Sequence, residues 1–195
     1  EDIDAIAVTY APGLLGSLLV GVECAKTLAF IYNKPLIAVN HTMGHIFANN
    51  IEYNIVYPTL ALIVSGGHTD LLILENETTI KRLGSTIDDS VGEVFDKVAR
   101  VLGMPYPGGP NIEKSAAKGQ NTYDLPHPMQ EEGYNFSYSG LKSYIINLVH
   151  NEKQRNHEIR TNDLACSFQT VAVEELTRKV KYALEQTGIK NMILA

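Results

Sequence analysis

Residues 3–39, IDAIAVTYAPGLLGSLLVGVECAKTLAFIYNKPLIAV, decide the fold class. The first seven residues, Ile3-Asp-Ala-Ile-Ala-Val-Thr9, form a short apolar run of strand length that Pro12-Gly13 turns. From Leu14 to Tyr32 the apolar residues Leu15, Leu18, Leu19, Val22, Ala25, Leu28 and Ala29 recur at helical spacing, until Asn33-Lys-Pro35 stops the pattern. Leu36-Ile-Ala-Val39 then reads as a short buried strand. Strand, helix and strand joined by short turns are the grammar of an α/β unit with a parallel pair.

A second unit begins near Pro58. Leu60-Ala-Leu-Ile-Val64 and Leu71-Leu-Ile-Leu74 flank Ser65-Gly-Gly-His-Thr-Asp70, which predicts a hairpin and a change from parallel to antiparallel pairing. Thr79-Ile-Lys-Arg-Leu83 reads as a third strand. Asp88 or Asp89 is then expected to cap a helix with Val91, Val94, Phe95, Val98, Val101 and Leu102 on one face, ended by Gly103. Further helices are expected over roughly 110–118, 139–150 and 163–187, with Gly188 closing the last and a strand at 191–195. A start without Met inside one strand, and a close inside another, lead to the expectation of a fragment truncated at both ends. The expected domains are residues 1–50 and residues 51–195.

Composition sets the class of partner. An apolar content of 45% with 19% charged residues belongs to an ordinary globular chain. The longest apolar stretch, residues 13–22, falls well short of the ~20 residues that span a bilayer, so the reading is a soluble protein without membrane attachment. Cys24 and Cys166 stand far apart in apolar segments and suggest a reducing, cytoplasmic setting. A formal net charge of −6 opposes unaided nucleic-acid binding, which depends on Lys and Arg meeting phosphates. An RNA role therefore requires a local basic patch or a partner subunit.

Chemistry concentrates in a few places. In His41-Thr-Met-Gly-His45 the histidines stand four apart at the carboxyl end of a strand, where one helical face presents both imidazoles to a single metal ion. Spacing alone leaves an ordinary pair of junction histidines open. Thr42 occupies the place of the carboxylate base in an H-E-x-x-H protease, and two ligands are fewer than a catalytic metal commonly takes. The turn at residues 65–69 offers backbone N–H groups as a concave phosphate site, or is a plain hairpin turn. Pro107-Gly-Gly-Pro110 opens a helix where Gly109 lets a ligand approach closely, or is a simple loop. Asp96 and Arg100 read as a solvated i,i+4 ion pair.

Asn40-His-Thr-Met-Gly-His45, Leu62-Ile-Val-Ser-Gly-Gly-His-Thr69, Gly92-Glu-Val-Phe-Asp-Lys97, Tyr106-Pro-Gly-Gly-Pro110 and Phe136-Ser-Tyr-Ser-Gly-Leu-Lys142 stand in order along the chain. Together they resemble the bacterial tRNA N6-adenosine threonylcarbamoyltransferase family, formerly described as O-sialoglycoprotein endopeptidases. The resemblance implies an α/β fold of the actin, Hsp70 and sugar-kinase type, with two lobes that enclose a nucleotide. It implies that His41 and His45 hold one divalent metal ion per subunit, iron ahead of zinc. It implies that Ile63, Val64, Ser65, Gly66 and Gly67 line the substrate site, that Asp96 and Gly109 contact the nucleotide, and that Glu113 stands where many members carry Asp.

The implied reaction moves threonylcarbamoyl from threonylcarbamoyl-AMP to N6 of the adenosine beside the anticodon in tRNAs reading ANN codons, with bacterial partner subunits. No protein nucleophile is required, because the mixed anhydride is already activated. The third metal ligand and a late Gly/Asn nucleotide loop are expected outside residues 1–195, so the fragment alone is expected to be inactive. The alternatives are a metalloendopeptidase, disfavoured by the missing Glu, and a non-catalytic nucleotide-binding scaffold.

Overall fold

The computed structural model describes residues 2–129 and 133–195. The chain divides into two compact units, Glu1–Ile55 with Ala195, and Val56–Leu194. The division falls a few residues later than the expected one at residue 50.

In the first unit, β1 (Ile6–Ala11), α1 (Leu15–Ile31) and β2 (Leu36–Asn40) form the expected strand, helix, strand unit. β1 and β2 pair in parallel from Ile6↔Leu36 to Thr9↔Val39. The small side chains Ala25 and Ala29 are the buried residues of α1. Leu15, Leu19 and Leu28, which the spacing placed on an inward stripe, are exposed. α2 (His41–Ala48) follows β2 without a loop, because Asn40 ends the strand and caps the helix: its Oδ1 accepts the N–H groups of Thr42 (3.0 Å) and Met43 (3.2 Å).

The second unit is built on a sheet of order β5-β4-β3-β6: β3 (Thr59–Val64), β4 (Thr69–Leu74), β5 (Ile80–Ser85) and β6 (Asn191–Leu194). β3 and β4 make the hairpin, with Val64 opposite Thr69. β6 pairs with β3 in parallel, Thr59↔Asn191 to Leu62↔Leu194. The central β3 is buried from Thr59 to Ile63, on both faces, which is why its sequence is a continuous apolar run instead of an alternation. α3 (Val91–Val101), α4 (Gly108–Ala116), α5 (Ser139–Gln154) and α6 (Thr161–Thr187) complete the unit. Its core joins Leu60 and Leu62 to Val94 and Val98 of α3, Ile112 of α4, Ile145 of α5 and Phe168 of α6. Gly188, at φ 69°, ends α6 in the left-handed conformation that glycine adopts without cost.

The cap of α3 differs from the sequence expectation. Ser90 is the N-cap and its hydroxyl accepts the Glu93 N–H at 3.3 Å, half of a capping box. Asp88 and Asp89 act across the fold instead. The Asp88 carboxylate accepts the backbone N–H groups of Tyr138 (2.9 Å) and Ser139 (3.3 Å) and the Ser137 and Ser139 hydroxyls, so it caps α5. Asp89 pairs with Lys97 at 2.9 Å and with Lys142.

These partners set a pH dependence. Burial raises the Asp88 pKa, but hydrogen bonds from Ser137, Ser139 and the α5 N-terminus outweigh it and leave the group below its ordinary value. Asp89 is lowered first by its hydrogen bond with Lys142. A carboxylate depressed in the folded state stabilises above its unfolded pKa, and that contribution is lost as pH falls through the folded value. Glu175, almost fully buried on α6, works in the opposite sense: burial raises it above the ordinary value despite its pairing with Arg178. Urea unfolding followed from pH 7 downward should therefore lose stability below about pH 4, and Asp88→Asn should flatten that acid limb. At neutral pH Asp88→Ala should cost about 1 kcal/mol, the usual value of a helix cap.

Candidate functional site

The β3–β4 turn is braced from several sides. Ser65 N–H donates to the His68 carbonyl at 2.9 Å, while Ser65 Oγ accepts the N–H groups of Gly67 (3.3 Å) and His68 (3.0 Å). Both amides point at the turn's own serine oxygen. Thr69 Oγ1, almost fully buried, accepts the Val91 N–H at 2.9 Å, and Ser90 Oγ donates to the Gly66 carbonyl at 2.8 Å. The start of α3 is thus fastened to the hairpin. Gly92 makes the approach possible, since a Cβ there would stand 2.4 Å from the Ser65 carbonyl oxygen.

A second close approach joins α3 to α4. A Cβ on Gly108 would lie 2.5 Å from Asp96 Cα, and the Gly108 N–H donates to Asp96 Oδ1 at 2.7 Å. The expected Asp96–Arg100 pair does not form; Asp96 caps α4, where a carboxylate also meets the positive end of the helix dipole. The i,i+4 pair on this helix is Glu93–Lys97, at 2.8 Å.

These contacts frame a cavity of about 440 Å³ within the second unit. Val64, Ser65 and Gly66 form one wall, and Val91, Gly92, Phe95 and Asp96 a second. Tyr106, Pro107 and Gly109 supply a third, closed by Val173 and Leu176 of α6. Of the residues expected in the substrate site, Val64, Ser65, Gly66, Asp96 and Gly109 meet on this cavity. Ile63 is buried opposite Asp70, Gly67 faces open space outside the lining, and Glu113 is exposed on α4. Gly66 and Gly109 have no atom within 4 Å of where a Cβ would stand, so both leave room for a ligand. The chemistry of this space is specific. The walls are largely apolar, and the Asp96 carboxylate accepts hydrogen bonds but repels phosphate, which suits the hydroxyls of a sugar.

Sequence reasoning missed Gly92, Tyr106, Val173 and Leu176 as parts of this cavity. Ser90 had a legible signal, the Ser-x-x-Glu capping box of Ser90-Val-Gly-Glu93. Val173 and Leu176 had none, because only the packing of α6 brings them to the turn.

In the first unit, α2 presents His41 and His45 one turn apart on an exposed face. Their Nε2 atoms lie 3.2 Å apart and the rings meet edge to face with centroids 4.5 Å apart. Two imidazole nitrogens this close are donors of the type that a divalent transition metal takes. The pair therefore fits as two ligands of a metal ion. Among the described residues no group of three or more His, Cys, Asp or Glu side chains gathers at one point, so the pair is not a complete site. Nor is any helix among them long and apolar enough to cross a membrane.

The elements define a mixed α/β protein. The full-length HypF crystal structure, in its phosphate- and nucleotide-bound form, superposes on the whole of this chain and 33% of its own with a TM-score of 0.68 at 14% identity. At the level of family the assignment is narrower: residues 1–195 match the family model of tRNA N6-adenosine threonylcarbamoyltransferase, and the chain belongs to that family. Proteins of that name from Staphylococcus epidermidis and Bacillus subtilis are 50% and 51% identical to it over its full length. The chain spans 58% and 57% of those relatives.

Proposed function

We propose that this chain is part of an enzyme that transfers threonylcarbamoyl from threonylcarbamoyl-AMP to N6 of the adenosine beside the anticodon in tRNAs reading ANN codons. The observation that carries the reading is the convergence of Ser65, Gly66, Asp96 and Gly109 on one cavity, in a chain matched along its whole length by this family. Asp96 accepts hydrogen bonds from the ribose hydroxyls of the adenylate, and the largely apolar walls line the space around it. The adenosine N6 attacks the carbamoyl carbon, a C–N bond forms, the C–O bond to phosphate breaks and AMP leaves. The proton lost from N6 passes to solvent. Binding and orientation suffice because the acyl group arrives activated. His41 and His45 would hold one divalent metal, iron ahead of zinc, with a further ligand from outside the described residues; such an ion supplies Lewis-acid polarisation of an acyl oxygen.

The formal charge of −6 on these 195 residues supports a tRNA surface shared with bacterial partner subunits, in the cytoplasm. The test is threonylcarbamoyladenosine formation in tRNA, measured by nucleoside mass spectrometry on the full-length protein with those subunits. Asp96→Asn keeps an acceptor for Gly108 and removes the charge. It should lower kcat/KM for the adenylate about tenfold, as charge-assisted hydrogen bonds are replaced by neutral ones. No transfer by the wild-type complex would overturn the reading.

A further inference from the structure

The Gly66-Gly67 step has no side chain to anchor it, and glycine has the widest backbone freedom of any residue. Its orientation therefore depends on hydrogen bonds. Ser65 holds the Gly67 and His68 amides from within the turn. Among the described residues, Ser90 is the one that reaches residues 65–68 with a hydrogen bond from another element: its Oγ donates to the Gly66 carbonyl at 2.8 Å. The same oxygen accepts the Glu93 N–H as the cap of α3, and the residue is only 3% exposed. A single buried hydroxyl thus uses its proton on the turn and a lone pair on the helix. Because a peptide is planar, holding the Gly66 carbonyl also sets the direction of the Gly67 N–H.

We propose that Ser90 is a positioning residue for the ligand-binding turn: it locks the Gly66–Gly67 peptide to the start of α3, so that the Ser65–Gly66 and Val91–Gly92 walls of the cavity keep one geometry. The inference rests on reading this cavity as the adenylate site. Ser90 itself does not line the cavity, and its effect on substrate runs through Gly66.

The test uses the full-length protein with its partner subunits, titrated with AMP by calorimetry and assayed for transfer. Ser90→Ala should weaken AMP binding and raise KM for threonylcarbamoyl-AMP about tenfold, with kcat changed far less, the scale of one lost buried hydrogen bond. Ser90→Gly is the second variant, because glycine keeps most of the N-cap preference while removing the donor, so a failure of Ser90→Ala to fold does not end the test. Ser90→Thr restores the hydroxyl and should return both constants to within about twofold of wild type. Asp88→Ala, which loosens the cap of α5 without touching the turn, should leave AMP binding unchanged. If Ser90→Ala or Ser90→Gly lowers Tm while AMP affinity and KM stay at the wild-type values, Ser90 is only a helix cap and the inference falls. If the wild-type complex neither binds AMP nor transfers, the cavity reading falls, and this inference with it.

Discussion

Replacing His41 and His45 together with alanine, in the full-length protein and with partner subunits present, is expected to cut threonylcarbamoyladenosine formation by at least about a hundredfold. The scale follows from metal sites in which the loss of a mere supporting group costs 10–100-fold in affinity or activity, so loss of two ligands exceeds it. The fold should not move. Both side chains are exposed on α2, whose start is held by Asn40. Substitutions at such surfaces usually stay within about 0.5 kcal/mol, so Tm and the circular dichroism spectrum should match wild type. Bound metal, measured by elemental analysis of the purified protein, should fall with activity. Activity within a few-fold of wild type would sink the ligand role and leave the 3.2 Å approach of the two Nε2 atoms as a hydrogen bond between imidazoles.

The second large effect separates two glycines of the same cavity. At Gly92 an added methyl would stand 2.4 Å from the Ser65 carbonyl oxygen and 2.9 Å from Gly66 Cα, both backbone atoms that no rotamer change can move aside. Gly92→Ala should therefore cost about 3 kcal/mol, the upper part of the overpacking range, and separate the hairpin turn from α3. Gly109, inside the first turn of α4, meets nothing within 4 Å. Alanine is the better helix former there and should hold or raise stability, while its methyl occupies cavity space and weakens adenylate binding. Urea unfolding alongside AMP titration reads both effects. Stable Gly92→Ala protein with unchanged AMP affinity would refute the close packing of turn and helix.

Much of the architecture is legible in the residues alone. The run from Ile3 to Val39 declares a parallel α/β unit because two strand-length apolar runs bracket a helical repeat. The Gly-Gly step between Leu60–Val64 and Leu71–Leu74 declares the hairpin. Boundaries shift where a cap is not local. The α4 helix starts at Gly108 instead of Pro110, because Asp96 satisfies the Gly108 N–H from α3. Asp is a good N-cap, and both Asp88 and Asp89 stand near the start of α3, which is why the sequence points to them. Ser90, one residue closer, takes the cap, and the released Asp88 reaches α5.

By itself, then, the sequence determined whatever is local. Side-chain periodicity specified the order of strands and helices, turn chemistry specified the hairpin, and the i,i+4 spacing placed His41 and His45 on a single face of α2. The ordered motifs determined the family. Only the tertiary structure decided the partners of Asp88, Asp96 and Ser90, and the walls that Val173 and Leu176 add to the cavity. The physical reason is that a hydrogen bond or a packed wall between residues far apart in the chain leaves no period in the sequence. It exists only once burial of a common core has brought those segments within a few ångströms of each other.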